Sequence, residues 1–222
     1  LRNKVHLGVL AAVITPLAMY ASTWLIIPAI PLLFISQSST AVVAFMVGLG
    51  IIAYSKMPRK YFWTILIIIL TLGGLYAFGF DVHGGQFMAR IRVWFSTLQI
   101  ALRKDPYFGQ GIGSFAMLNM TELKPAWAQT WVWVHNEYLQ LFYECGFFGL
   151  LIVLLFIKKN IQPLFKYSVN ALIPEYVYLL SGFVVLALVS ILNFPFHLGR
   201  FVHIFVFFMA LLAAKREDCN YD

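Results

Sequence analysis

The chain has 222 residues, of which 61% are hydrophobic and 11% charged, and it carries a formal net charge of +7 with a mean hydropathy of +0.82. These values exclude an ordinary soluble domain: uncharged runs reach the roughly 20 residues a helix needs to cross a bilayer, so this is an integral membrane protein. The basic residues are scattered among membrane segments, which reads as topology signal and anionic-headgroup contact rather than a nucleic-acid surface.

In chain order, seven hydrophobic helices are expected, at approximately 6–21, 23–36, 39–55, 61–80, 136–157, 172–192 and 199–214. The first two carry Pro16, Pro28 and Pro31, which suits tilted, kinked or partly re-entrant segments. Tyr61 to Phe80 is one unbroken uncharged run, a pattern of helices and not of barrel strands. The expected fold is thus an all-α, polytopic helical membrane protein of about seven transmembrane helices. It divides into four helices over 1–80, a loop over 81–134, and three helices with a tail over 135–222. The chain begins with Leu1 and shows no signal-peptide pattern, as expected of the C-terminal part of a longer protein.

Short-loop charges set the orientation. Lys56, Arg59 and Lys60 follow the third helix, Lys158, Lys159 and Lys166 the fifth, and Lys215 and Arg216 the seventh. That side should be cytoplasmic by the positive-inside rule, which places the long loop from Asp81 to Val134 in the periplasm or its equivalent.

Within that loop, Ile91, Trp94, Phe95, Leu98, Ala101 and Leu102 recur at helical spacing, with Arg92, Ser96, Gln99 and Arg103 opposite. This predicts an amphipathic helix from Met88 to Lys104 at the membrane interface. Arg92 takes an ordinary solvated position, whereas Arg90 sits at the edge of the apolar arc. There it either meets an anion such as phosphate, which its planar fork suits, or snorkels to the headgroups. The next stretch, Asp105 to Phe115, reads DPYFGQGIGSF. Its alternating glycines permit tight turns and close approach, but the spacing is neither a Rossmann fingerprint nor a P-loop.

Trp127, Trp131 and Trp133 precede the most informative segment, HNEYLQLFYECGFFG from His135 to Gly149. The tryptophans serve either as interfacial anchors or as stacking surfaces for sugar rings. His135, Asn136 and Glu137 open a membrane helix, either as a water-facing cap or as functional groups. Glu137, Gln140 and Glu144 share one face, and Glu144, about 10 Å into the helix, should face protein or a polar cavity. Near the end, Asn193 and Pro195 suit helix termination, while His197 and Arg200 are candidates to complete a site beneath the loop. Cys145 and Cys219 lie too far apart in the topology to pair, so neither a disulfide nor a metal site is expected. No HExxH, GxSxG or CxxC pattern is present.

Three pieces together, ARIRVW (Ala89 to Trp94), DPYFGQGIGSF and HNEYLQLFYECGFFG, resemble the C-terminal half of the bacterial O-antigen ligase and polymerase superfamily. The resemblance implies a multi-pass glycosyltransferase of the bacterial inner membrane. It implies a glycan donor linked to undecaprenyl pyrophosphate, an acceptor that is lipid A-core, a growing polysaccharide or a protein, and no metal or other cofactor. Arg90 is implied to contact the donor pyrophosphate and His135 to act on the acceptor hydroxyl, with inversion at the anomeric carbon. Glu144 matches a position that is commonly acidic. Arg200, Asn136, Glu137 and Trp131 complete the expected substrate-binding set. The family often carries a cation after a serine before the basic cytoplasmic turn; here Ser36-Gln37-Ser38-Ser39-Thr40 has none. The competing reading is a non-enzymatic or degenerate polytopic protein that binds carrier lipid or serves polysaccharide transport.

Overall fold

The computed structural model describes residues 4–58, 61, 63–64, 66–68, 71, 86–118, 132–166, 174–197 and 199–218. Among these the regular structure is all helical. It comprises α1 (Lys4–Ala21), α2 (Ile26–Ser36), α3 (Ser39–Lys56), α4 (Gln86–Lys104), α5 (Glu137–Lys166), α6 (Pro174–Leu192) and α7 (Gly199–Asp218), with a single helical turn at Ser114–Met117 and short 3-10 turns at Thr23–Leu25 and Pro195–His197. Six of the seven expected hydrophobic helices coincide with α1, α2, α3, α5, α6 and α7. The fourth, 61–80, lies largely outside the described residues.

Among the described residues, three helices are long and apolar enough to cross a membrane: Lys4–Ala21, Ser39–Lys56 and Glu137–Gln162. The apolar parts of α2, α6 and α7 are shorter. Local chemistry sets one boundary visibly. Gln37 adopts a left-handed conformation that ends α2, and the Ser38 side chain accepts from Ala41 N–H to start α3, a standard N-cap that satisfies an otherwise orphaned donor.

The main core joins α1, α3, α6 and α7 through Val13, Phe45, Val185, Leu186, Val189 and Phe208. Helices before and after the long loop therefore share one core. Close approach depends on small residues, as expected where lipid tails remove most of the hydrophobic drive. Ser181 Oγ donates to the Gly48 carbonyl at 2.7 Å, and a Cβ on Gly48 would press on Val185. At one end of this bundle Lys56 Nζ donates to the Tyr178 hydroxyl and lies 5.0 Å from the ring centroid. At the opposite end α5 begins, beside the Pro195–His197 turn.

α4 is helical over nearly the predicted range, but it packs through a face other than the bulky one. Ala89, Val93, Thr97 and Ala101, spaced by four, are buried, whereas Phe95, Leu98 and Leu102 are exposed. A stripe of small side chains lets α4 lie close against α5, with Trp94 and Ile100 packed beside it, while Phe95, Leu98 and Leu102 point away from the protein.

Candidate functional site

α5 is not one continuous helix. Gly146 takes φ 65° and ψ −169° inside it, a backbone region open essentially only to glycine. In an unbroken helix Phe147 and Phe148 N–H would bond the carbonyls of Tyr143 and Glu144. Here those two amides donate to the carbonyls of Pro106 and Tyr107, at 2.8 and 3.1 Å. The carbonyls of Tyr143 and Glu144 instead accept from Gln110 and Gly111 N–H, at 3.0 and 2.8 Å. The glycine loop thus fills the break, exchanging backbone bonds with both of its sides. Asp105 folds the loop for this role, its Oδ1 accepting from Tyr107 and Phe108 N–H at 3.0 Å.

Side chains tie the same pieces together. Glu144 is buried; its Oε2 accepts from Gly113 N–H at 2.9 Å and its Oε1 from Gln140 Nε2 at 3.0 Å. It faces protein, as its depth in the helix requires. Gln140 Oε1 accepts from Val134 N–H at 3.1 Å. A backbone amide is an unambiguous donor, so this bond orients the Gln140 amide and leaves its Nε2 as donor to Glu144 and to His197 Nε2, 2.9 Å away. His197 Nε2 must then accept, so its proton sits on Nδ1, which faces Glu137 at 3.1 Å. Glu137 Oε1 also accepts from Phe196 N–H at 2.6 Å. One buried hydrogen-bonded chain therefore runs from the glycine loop through α5 to the turn that follows α6.

This chain holds the stretch that carries His135. Val134 is fully buried; its carbonyl accepts from Trp94 Nε1 at 3.1 Å. Asn136 Oδ1 accepts from Leu139 N–H at 3.0 Å, capping α5. Between these anchors His135 adopts φ 59°, a left-handed conformation that costs a non-glycine residue energy and persists only when neighbours enforce it. Its ring lies edge-on to Phe194, 4.7 Å between centroids, and the Trp133 ring sits 3.9 Å from that of His197.

The remaining expected residues fall as follows. Arg90 is half-buried on α4, one helical turn before Trp94, whereas Arg92 is exposed. Asn136 and Glu137 lie at the head of α5, joined to His135 in sequence and to the 195–197 turn by the Glu137–His197 pair. Trp131 lies outside the described residues; Arg200 falls within α7, but its side chain is likewise outside them.

Two buried polar atoms in this region lack a hydrogen-bond partner among the described residues: Ser114 Oγ and Asn193 Nδ2. Sequence reasoning gives Asn193 only a helix-ending role and gives Gly146 none. The available signal for Gly146 was a glycine inside a membrane helix, a recognised mark of close backbone approach. Below Glu137 a largely apolar cavity of about 330 Å³ opens between α5, α6 and α7, walled by Tyr138, Leu141, Ile157, Phe183 and Phe205.

A family model described as O-antigen ligase matches residues 21–154, more than half of the chain, and the chain belongs to that family. No curated protein and no solved structure matches it.

Proposed function

We propose that this member of the O-antigen ligase family moves a glycan from an undecaprenyl-pyrophosphate carrier to an acceptor hydroxyl, in the bacterial inner membrane, with the 81–134 loop on the periplasmic side. Family membership supports a membrane glycosyltransferase of the ligase or polymerase type. The observation that carries the finer reading is the Trp94–Val134 hydrogen bond. It ties the helix that bears Arg90 to the strained stretch that bears His135, although 45 positions separate the two in sequence.

In the reaction the acceptor oxygen attacks the anomeric carbon as its bond to the pyrophosphate oxygen breaks. His135 takes the hydroxyl proton, a role suited to a neutral imidazole. Arg90 meets the charge that develops on the departing undecaprenyl pyrophosphate, and Arg200 serves the same anion. Single direct displacement inverts the anomeric centre. No step is assigned to a metal. The cavity beneath Glu137 suits an isoprenoid chain, with Trp131 and Asn136 on the glycan side. The hydrogen bonds of Glu137 and Glu144 support a share in the site by positioning: they hold the 195–197 turn and the glycine loop.

Glycan transfer in membranes that lack their own ligase and polymerase tests this reading. Arg90→Ala and His135→Ala, at matched protein level, should each lower transfer by on the order of 100-fold or more. Transfer that survives both substitutions refutes the site.

A further inference from the structure

The loop that fills the break in α5 docks at a depth that a periplasmic loop should not reach. From Glu137 to Ile157 α5 supplies 21 residues before Lys158 and Lys159; its two segments laid end to end, at about 1.5 Å per residue, reach about 31 Å, the thickness of the hydrocarbon layer. Gly146 lies about 13 Å along that length. The segment after Gly146 spans only about 16 Å before the lysines, too little to cross alone. The residues before Gly146 are therefore needed to complete the span, and the loop is bonded to them.

The loop has the two properties that such a position demands. Irregular backbone survives in hydrocarbon only when its polar groups are satisfied within the protein. Each N–H from Tyr107 to Gly111 has an acceptor, supplied by Asp105 or by the broken helix. Its outward side chains are also apolar. Ile112 is 89% exposed and Met117 88%. Tyr107 and Phe108 stack outward against Phe148, 6.2 and 5.4 Å between centroids, and all three are exposed. The bulky face of α4, with Phe95 and Leu102, adds to the same apolar exposure, and Arg103 and Lys104 mark where charge resumes.

We propose that residues 105–117 form a re-entrant element, immersed among the acyl chains of the leaflet on the Glu137 side, with Ile112 and Met117 in contact with lipid. This goes beyond the transferase reading and holds whether or not the chain transfers a glycan.

The test uses the full chain in vesicles of phosphatidylcholine and phosphatidylglycerol, in a Cys145→Ala, Cys219→Ser background. A nitrobenzoxadiazole label is placed at Ile112→Cys, Met117→Cys or, as an aqueous control, Arg103→Cys, and helical content is matched by circular dichroism. Labels at 112 and 117 should be shielded from iodide several-fold relative to 103, and quenched by doxyl-labelled lipid several-fold more strongly. Iodide quenching equal to that at 103 overturns the proposal. Shielding from both quenchers also overturns it, because protein and not lipid would then cover the loop.

Discussion

Gly109 and Gly146 meet backbone to backbone across the break in α5. A Cβ on Gly109 would come within 2.5 Å of the Glu144 carbonyl and the Gly146 nitrogen, and one on Gly146 would run into the Tyr107 carbonyl. Both glycines hold positive φ, 79° and 65°. Helix and loop are therefore joined through main chain, at a spacing that admits no side chain from either partner.

Gly109→Ala and Gly146→Ala should each destabilise the protein by at least about 2 kcal/mol, through left-handed strain and backbone collision together. The double variant should lose less than the sum, because either change already opens the same contact. Thermal unfolding in detergent, followed by helical circular dichroism, reads both effects. Additive losses would mean that the two glycines act separately.

Glu144→Gln keeps one acceptor oxygen for Gly113 N–H or Gln140, while Glu144→Leu keeps none. The leucine variant should be the less stable by about 1–3 kcal/mol, the cost of stranding buried donors. Gln140→Leu should fall in the same range and should also release His197 from its single tautomer. Thermal midpoints check the order, and equal midpoints for Glu144→Gln and Glu144→Leu would refute it.

Asn193 offers a separation of stability from activity. Its Nδ2 is buried with no partner among the described residues, so Asn193→Leu removes an unsatisfied donor and should leave stability unchanged or raised by about 1 kcal/mol. If that amide serves a bound glycan or phosphate, transfer should nevertheless drop about tenfold, at roughly 1.4 kcal/mol per tenfold. Lower stability with unchanged transfer would assign Asn193 to the fold alone.

Sidedness is testable with the charge cluster after α5. Lys158→Cys should react with a membrane-impermeant thiol reagent only after spheroplasts are opened, whereas Arg103→Cys should react in intact ones. The reverse pattern would invert the topology.

The helical class and the extent of α4 were legible in hydropathy and spacing, because both follow from local periodicity. So was the burial of Glu144, because a carboxylate at that depth must face protein. The packing face of α4 was not. Helical spacing predicts an amphipathic helix at the membrane interface, but it does not say that the stripe of Ala89, Val93 and Ala101 packs against the protein while Phe95, Leu98 and Leu102 stay exposed. Nor was the partner of Gln140: its contact with His197 joins residues 57 positions apart, which no local pattern encodes. The break at Gly146 was hidden for a related reason, since hydropathy counts it within an apolar run and its cause lies in another segment. The placement of Arg200 and Trp131 at the site rests on residue chemistry read from the sequence, not on described side chains.

The exchange of backbone bonds at Gly146 also sets an order of assembly. The glycine loop leaves the ribosome before α5, and its Gln110 and Gly111 amides find their acceptors only when the Tyr143 and Glu144 carbonyls arrive. α5 alone can instead close the Tyr143 and Glu144 carbonyls on the Phe147 and Phe148 amides as an unbroken helix, so the break forms only when the loop docks. The loop, and not α5, is thus the segment that waits for its partner.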